Sequence, residues 1–370
     1  MEFYITKKVF ERALAEVVPF MDIKNTISRL SMARLELSQD GLTISGTDME
    51  MGFSNRYEAR CILPGVLLLG GRQLLEIIKA LPNKEVHVRE LDNWWIEIVC
   101  GKSYFKLAGL DSTGYPESPK LAGEDVTLLS IGASRLADMI DDTIVSVATD
   151  DSRYGLNGAF LESGNDDDKH FVRMVSTDGH RLTLYHSAMD APTGEWLLPR
   201  VGLKLLQNWL RGVSADVELC LDSRTLSIRH GDVCVWMRLL EGDFPDYRQV
   251  IPQRFTRTAE VSRSDLLSCM KRVALLSSEK THSVKIELGD EGIIVSTSNP
   301  DLGECRESVD ATVSKPDGGF SIGVNARYMV DRLAKSTAVQ VTLRLQDSLN
   351  PITIVDGSDT IAVIMPMRLD

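Results

Sequence analysis

The chain has 370 residues, 43% of them hydrophobic and 25% charged, and a formal net charge of −12 at pH 7. At roughly 150 residues per domain this length implies two or three domains, and the balance excludes a disordered or low-complexity protein. The acidic total excludes nucleic-acid binding through a uniformly cationic surface, so the distribution of positive charge matters more than its sum.

The first element is a short strand running into an amphipathic helix over 3–17. Val9, Phe10, Ala13, Leu14 and Val17 lie at helical spacing, and Thr6 is the candidate N-cap. A strand–turn–strand follows at 41–53 with Asp48 in the turn, then a helix at 70–81 and paired strands at 86–107 around Gly101. The same four elements return at 128–147 with Ser134 as cap, at 171–185 with Asp178 in the turn, at 198–212, and at 217–239 around Gly231. They return once more. Leu266, Leu267, Met270, Val273 and Ala274 form the stripe of 259–277, with Ser262 or Ser264 as cap. Asn299 holds the turn of 292–305, a helix covers 324–336, and the last hairpin spans 339–369 around Gly357.

The turn residues are 130 and 121 positions apart, and the hairpin glycines 130 and 126. One shared landmark would be coincidence among common patterns. Four in register across nearly the whole chain define a tandem repeat. The expected fold is α+β, with three tandem domains at 1–122, 123–252 and 253–370, each a pair of helices packed on antiparallel sheet.

The amino terminus, MEFYITKKVFERAL, lacks the apolar core of a signal peptide, and no run of 18 apolar residues occurs, so no membrane span is expected. Cys61, Cys100, Cys220, Cys234, Cys269 and Cys305 form no CxxC pair and sit in or beside apolar stretches, as reduced cysteines do. The histidines lack metal-ligand spacing. A cytoplasmic protein without metal, cofactor or membrane partner is expected.

The six helical segments together carry a formal charge of +7, leaving −19 to the rest of the chain. A single charged helix is usually just solvated; the asymmetry points to one helix-lined surface that tolerates phosphate on an acidic body. Arg200, Lys204 and Arg211 have no acid between them, whereas 134–142 is acidic, with Asp138, Asp141 and Asp142 against Arg135.

Catalytic motifs fail. GKS at 101–103 has Ile96 where a phosphate loop needs glycine, and it lies in a hairpin. Ser176, Asp178 and His180 are too close in sequence for a nucleophile–base–orienter chain. Asp166, Asp167 and Asp168 lack the spacing and glycine of a calcium loop. No catalytic residue is assigned, and no enzyme is expected.

The segments STDGHRLTLY (176–185), EGDFPDYRQVIP (241–252), RYGLNGAFLE (153–162), SGTDMEM (45–51) and VIMPMRL (363–369) closely resemble the bacterial DNA sliding clamps, the beta subunits of DNA polymerase III. The resemblance spans the whole chain in order. It implies three domains per subunit and a head-to-tail homodimer closed as a ring around double-stranded DNA, with twelve helices lining the hole. It also implies a processivity factor that tethers replicative DNA polymerase and has as further partners a clamp loader and other proteins bearing a clamp-binding motif.

The resemblance further implies a pocket between the second and third domains for a short, partly apolar peptide. Its residues would be Leu156, Thr177, Gly179, His180, Arg181, Leu182, Pro245, Val250, Asn325, Tyr328, Val363, Ile364, Met365, Pro366, Met367 and Arg368. Methionines suit varied apolar anchors, and a few polar groups orient a peptide. The DNA-facing set would be Lys24, Arg72, Lys79, Arg153, Tyr154, Arg200, Lys204, Arg211, Lys271, Arg272, Arg332 and Lys335. The ring interface would bring Lys102, Phe105 and Leu107 against Leu275 and Leu276, with Asp301 and Glu304 nearby. The chain departs from the family pattern at Gln249, Thr281, Gly155 and Asp370, and in its acidic helix. Two other readings are a protein-interaction hub for which DNA encirclement is secondary, and a hydrolase using His180.

Overall fold

A computed structural model describes residues 1–22, 29–119, 121, 125–149, 153–167, 169–289, 292–314, 320–357 and 359–368. The first repeat runs β1 (Glu2–Thr6), α1 (Lys7–Val17), β2 (Met32–Ser38), β3 (Gly41–Thr47), β4 (Met51–Tyr57), β5 (Arg60–Leu63), β6 (Gly65–Gly70), α2 (Gly71–Ala80), β7 (Glu85–Glu90), β8 (Trp95–Cys100) and β9 (Ser103–Ala108). The second runs β10 (Thr127–Gly132), α3 (Ala133–Thr143), β11 (Gly158–Asp166), β12 (Lys169–Thr177), β13 (Arg181–Ala188), β14 (Gly194–Pro199), α4 (Arg200–Leu210), β15 (Asp216–Leu221), β16 (Thr225–His230) and β17 (Val233–Arg238). The third runs β18 (Arg257–Ser262), α5 (Arg263–Val273), β19 (Ser283–Gly289), β20 (Gly292–Asn299), β21 (Gly303–Val309), β22 (Ala311–Ser314), β23 (Ser321–Asn325), α6 (Ala326–Lys335), β24 (Gln340–Leu345), β25 (Ile352–Asp356) and β26 (Thr360–Ile364).

Each repeat places a helix directly after its first strand. The turn from strand to helix is made at the cap: Ser262 Oγ accepts the Asp265 N–H at 3.4 Å, and Asn325 Oδ1 accepts from Arg327 N at 2.9 Å and Tyr328 N at 3.4 Å. Thr6 holds the cap position of α1 without a side-chain hydrogen bond. Ser134 is not a cap, because α3 already begins at Ala133. Each helix then buries one stripe, such as Phe10, Ala13, Leu14 and Val17 on α1.

The strands form four antiparallel sheets, ordered β5-β1-β7-β8-β9, β10-β15-β16-β17-β4-β3-β2-β6, β14-β11-β12-β13-β26-β25-β24-β18-β22 and β21-β20-β19-β23. Two of them run through repeat junctions. In the first, β4 pairs with β17, Met51 opposite Met237 and Phe53 opposite Val235. In the second, β13 pairs with β26, Arg181 opposite Ile364 and Thr183 opposite Ala362.

Contacts therefore gather the chain into two compact units that do not follow the sequence repeat. One comprises Met1–Ser134 with Lys204–Leu239, the other Arg135–Leu203 with Leu240–Asp370. The second repeat is divided because each of its two sheets is completed by a neighbour. The first unit centres on Phe3, Phe10, Leu14, Ile44, Phe53, Leu74 and Ile78, all essentially without exposure. The second has a large core on α5 and α6, including Leu266, Met270, Met329, Leu333 and Ile364. A smaller cluster joins Val175, Leu182, Leu184, Tyr247 and Val363.

Candidate functional site

The turn from β12 to β13 is built by Thr177 and Asp178. Asp178 Oδ1 accepts the N–H groups of His180 and Arg181, both at 3.0 Å, and Thr177 Oγ1 donates to the Arg181 carbonyl at 2.6 Å. Gly179 sits at φ +85°, and the His180 carbonyl accepts from Met365 N at 2.9 Å. The chain repeats this device in the turn from β3 to β4. Asp48 Oδ1 accepts from Glu50 N and Met51 N at 3.0 and 2.8 Å, Thr47 Oγ1 donates to Met51 O at 2.7 Å, and Arg238 N donates to Glu50 O at 2.7 Å. Met49, at φ +77°, stands where Gly179 does.

Arg181 is the hub of the second copy. Its Nε donates to Asp178 Oδ2 at 3.0 Å, its Nη1 to Asp331 Oδ2 at 2.8 Å, and its guanidinium lies 4.4 Å from the Tyr328 ring centroid. Burial raises the Tyr328 hydroxyl pKa. Arg181, Leu182, Tyr328, Arg332, Val363 and Ile364 line a narrow cleft. The carboxyl-terminal tail is pinned by Met365 N to His180 O and by Met367 N to Gly323 O at 2.8 Å. Met365 and Val250 are 38% and 40% exposed; Gly179, His180, Pro245 and Arg368 are exposed, and Thr177, Asn325, Pro366 and Met367 half-buried.

Four of the sixteen expected pocket residues are almost fully buried. Leu156, Leu182, Val363 and Ile364 are at most 2% exposed. Val363 joins the small cluster with Leu182, and Ile364, one residue on, faces the large core under α6, because successive strand residues point to opposite faces. Asn325 is a helix cap that also reaches the Thr281 carbonyl at 3.2 Å. Gln249 Nε2 donates to Asp246 Oδ2 at 2.9 Å, so its side chain is tied to its own loop. Gly155 is backed by that loop, and a Cβ there would lie 2.5 Å from the Asp243 carbonyl oxygen. An aromatic side chain has no room at this position. Asp370 lies outside the described residues. Ser176 is fully buried and donates to the Thr143 carbonyl.

The expected DNA-facing cations divide. Arg72, Lys204, Arg211, Lys271 and Arg153 are exposed, and the Arg153 guanidinium lies over Gly179, where a Cβ would stand 3.1 Å from its Nη2. Arg332 is a correction: it is 3% exposed and paired with Asp142 at 3.2 Å and with Asp356. Lys335 pairs with Asp141 at 3.3 Å. Arg200 donates to the Val147 and Ala148 carbonyls, and burial lowers its pKa. Arg272 grips Glu307 with Nε at 2.9 Å and Nη2 at 2.7 Å, and Lys79 pairs with Glu76 at 3.1 Å. Lys24 and the Tyr154 side chain lie outside the described residues.

Among the described residues β9, the counterpart of β17 and β26, and β21, the counterpart of β4 and β13, each end a sheet, as β5, β6, β10, β14, β22 and β23 also do. Along β9, Tyr104 and Lys106 are exposed while Phe105 and Leu107 are half-buried. Lys102, in the turn before β9, is exposed; beside β21, Leu275 and Leu302 are 77% and 55% exposed, Leu276 is half-buried, and Asp301 and Glu304 are exposed. Tyr104, Lys106 and Leu302 were absent from the expected interface set; the strand periodicity of SYFKLA was the signal for the first two.

Three tandem α+β repeats joined edge to edge, β4 with β17 and β13 with β26, define a clamp-type protein. Residues 1–119 match the family described as "DNA polymerase III beta subunit, N-terminal domain", 130–246 its central domain and 248–368 its C-terminal domain. The beta sliding clamps of Pseudomonas putida (strain KT2440) and Escherichia coli (strain K12) are 29% and 28% identical to the chain, each comparison covering 100% of both proteins. The crystal structure of the DNA polymerase sliding clamp from Pseudomonas aeruginosa matches with a TM-score of 0.91 at 28% identity, again over 100% of both chains. The chain belongs to the family of DNA polymerase III beta subunits, the sliding clamps, and is a DNA polymerase processivity factor. That family is one of tethers and not of catalysts.

Proposed function

We propose that two copies of this chain join head to tail into a ring around double-stranded DNA, with domains at 1–122, 123–252 and 253–370, and that the ring tethers polymerase, clamp loader and other partners through the pocket at Arg181. The observation that carries the ring is the pair of free edges. At both internal junctions the last strand of one repeat's second sheet pairs with the last strand of the next repeat (β4 with β17, β13 with β26). Of the strands equivalent to these four among the described residues, β21 and β9 are left without such a partner, and an unpaired edge is a template for another chain.

The internal junctions also supply a register. Hairpin pairing makes Leu107, Met237 and Ile364 equivalent; turn pairing makes Gly303, Met51 and Arg181 equivalent. Gly303 of one copy then faces Leu107 of the other, Glu304 faces Lys106, Cys305 faces Phe105 and Arg306 faces Tyr104. An acid meets a base and a guanidinium meets a ring, both favourable across antiparallel strands.

Retention by topology suits an acidic body, because each phosphate contact adds friction as well as affinity. The test is retention on nicked circular DNA and loss when that DNA is linearised. Equal retention on both forms defeats the topological reading. For the pocket, deletion of 365–370 removes the two tail hydrogen bonds and exposed Met365 but leaves β26 intact. Polymerase and clamp-loader binding should disappear while the dimer persists; normal polymerase stimulation by the truncated protein defeats the assignment.

A further inference from the structure

The acidic face of α3 looks at α6. Asp142 Oδ1 lies 3.2 Å from Arg332 Nη1, and Asp142 Oδ2 accepts from Thr360 Oγ1 at 2.6 Å. Arg332 also pairs with Asp356 on β25, whose side chain is itself only 4% exposed. A guanidinium this deep costs several kcal/mol to desolvate unless its partners are held in fixed geometry. Its planar fork can hold two carboxylates, where an ammonium holds one. Arg332 thus ties together three segments that are far apart in sequence.

This joint is one residue from the ion pair of the pocket. Asp331, next to Arg332 on α6, accepts from Arg181, and Tyr328, one turn earlier, lies under the Arg181 guanidinium. Arg181, Tyr328 and Arg332 line the same cleft. The rotation and height of α6 therefore set two of the three groups that hold Arg181, the third being Asp178 on its own turn. We infer that the Asp142–Arg332–Asp356 joint positions the partner-peptide pocket: α3 fixes α6 so that Tyr328 and Asp331 present Arg181 to the peptide. The inference rests on the pocket reading above, and it gives the acidic helix a role within the second compact unit in place of a DNA-facing one.

Asp142→Asn is the first variant to make. It leaves Arg332 paired with Asp356 and keeps an acceptor for Thr360, so no buried charge is stranded. Binding is read on the full-length protein by fluorescence anisotropy of a labelled heptapeptide carrying two leucines and a phenylalanine, with urea unfolding measured alongside. Affinity is expected to fall about three- to thirty-fold. Arg332→Met should fall at least as far, and Arg332→Lys should lie between it and wild type. Asp142→Asn should add nothing in the Arg332→Met background, since its effect passes through Arg332. Lys335→Met, which removes only the half-exposed pair with Asp141, should bind as wild type. Wild-type affinity in Asp142→Asn, whatever its stability, overturns the inference, as do losses that multiply in the double variant. If the unaltered protein fails to bind, or binding survives deletion of 365–370, the pocket reading fails and takes the inference with it.

Discussion

The duplicated turn allows the stability and the binding role of one residue to be separated. Gly179 and Met49 occupy the same position in turns that share the same side-chain hydrogen bonds, at φ +85° and +77°. Gly179→Met therefore asks domain 2 to do what domain 1 already does. A side chain in the left-handed region costs about 1–2 kcal/mol, and the reduced freedom of the unfolded chain returns about 0.4–1 kcal/mol. The net loss is about 0–1.6 kcal/mol, against a typical domain stability of about 5–15 kcal/mol. The fold should survive. Binding should not, because a Cβ at 179 already comes within 3.1 Å of the Arg153 guanidinium, and a thioether chain would extend over the surface between Arg181 and Met365. Peptide anisotropy is expected to show at least a roughly tenfold loss, or about 1.4 kcal/mol, while urea unfolding shows only the small shift. A loss of stability beyond about 3 kcal/mol would refute the equivalence of the two turns, since strain of one left-handed residue does not reach that size. Unchanged binding would remove the turn from the pocket.

Further outcomes follow from the edges, the charges and the caps. Lys106→Glu or Glu304→Lys alone should weaken the dimer by about 1–2 kcal/mol over its two interfaces, and the two together should restore it in sedimentation equilibrium; a double variant no better than either single one refutes the register. Tyr247 donates to Glu162 at 2.6 Å, and burial, then that bond, push its hydroxyl up to about 12. Its folded-state value is thus raised, so stability is whole below the ordinary tyrosine value of about 10 and is lost as pH rises from there through about 12. Tyr247→Phe should cost about 1.5–3 kcal/mol at pH 8 but lose less than wild type on going to pH 11 in urea titrations; an equal loss would mean other groups govern the alkaline limb. Ser262→Ala, removing the cap of α5, should cost about 1 kcal/mol by the same assay, and no measurable cost would show the 3.4 Å bond to be idle.

The repeat, its helices and its hairpins were legible because they follow local periodicity: each expected helix is present within about two residues, the usual scatter of helix ends, and the three hairpin glycines fall between the strands expected. Burial of Arg332 was legible too. It stands at helical spacing from Ala326 and Met329, on the stripe that faces the core, yet its charge suggested solvent. Its partner Asp142 is 190 positions away, and nothing in the spacing of either residue names the other. The same holds for Arg272 and Glu307, and for the Asp243 carbonyl that fills the space beside Gly155. Charge alone marks where cations sit along a helix, but only the fold shows which acids have already claimed them. The burial of Ile364 was missed for a simpler reason. A terminal motif was read as one surface, whereas a strand alternates.

The interleaving of the two compact units bears on synthesis. The chain enters the first unit, leaves it at Ser134, returns at Lys204 and leaves again at Leu239. During translation, at about 5–20 residues per second, residues 135–203 emerge while the first unit still lacks β15, β16 and β17. That unit can close only after Leu239 is free of the ribosome, and the edge of β13 stays open until β26, nearly the last strand made, arrives. A nascent clamp therefore carries an exposed sheet edge for most of its synthesis, and a chaperone that shields strand edges would have its longest engagement with this segment.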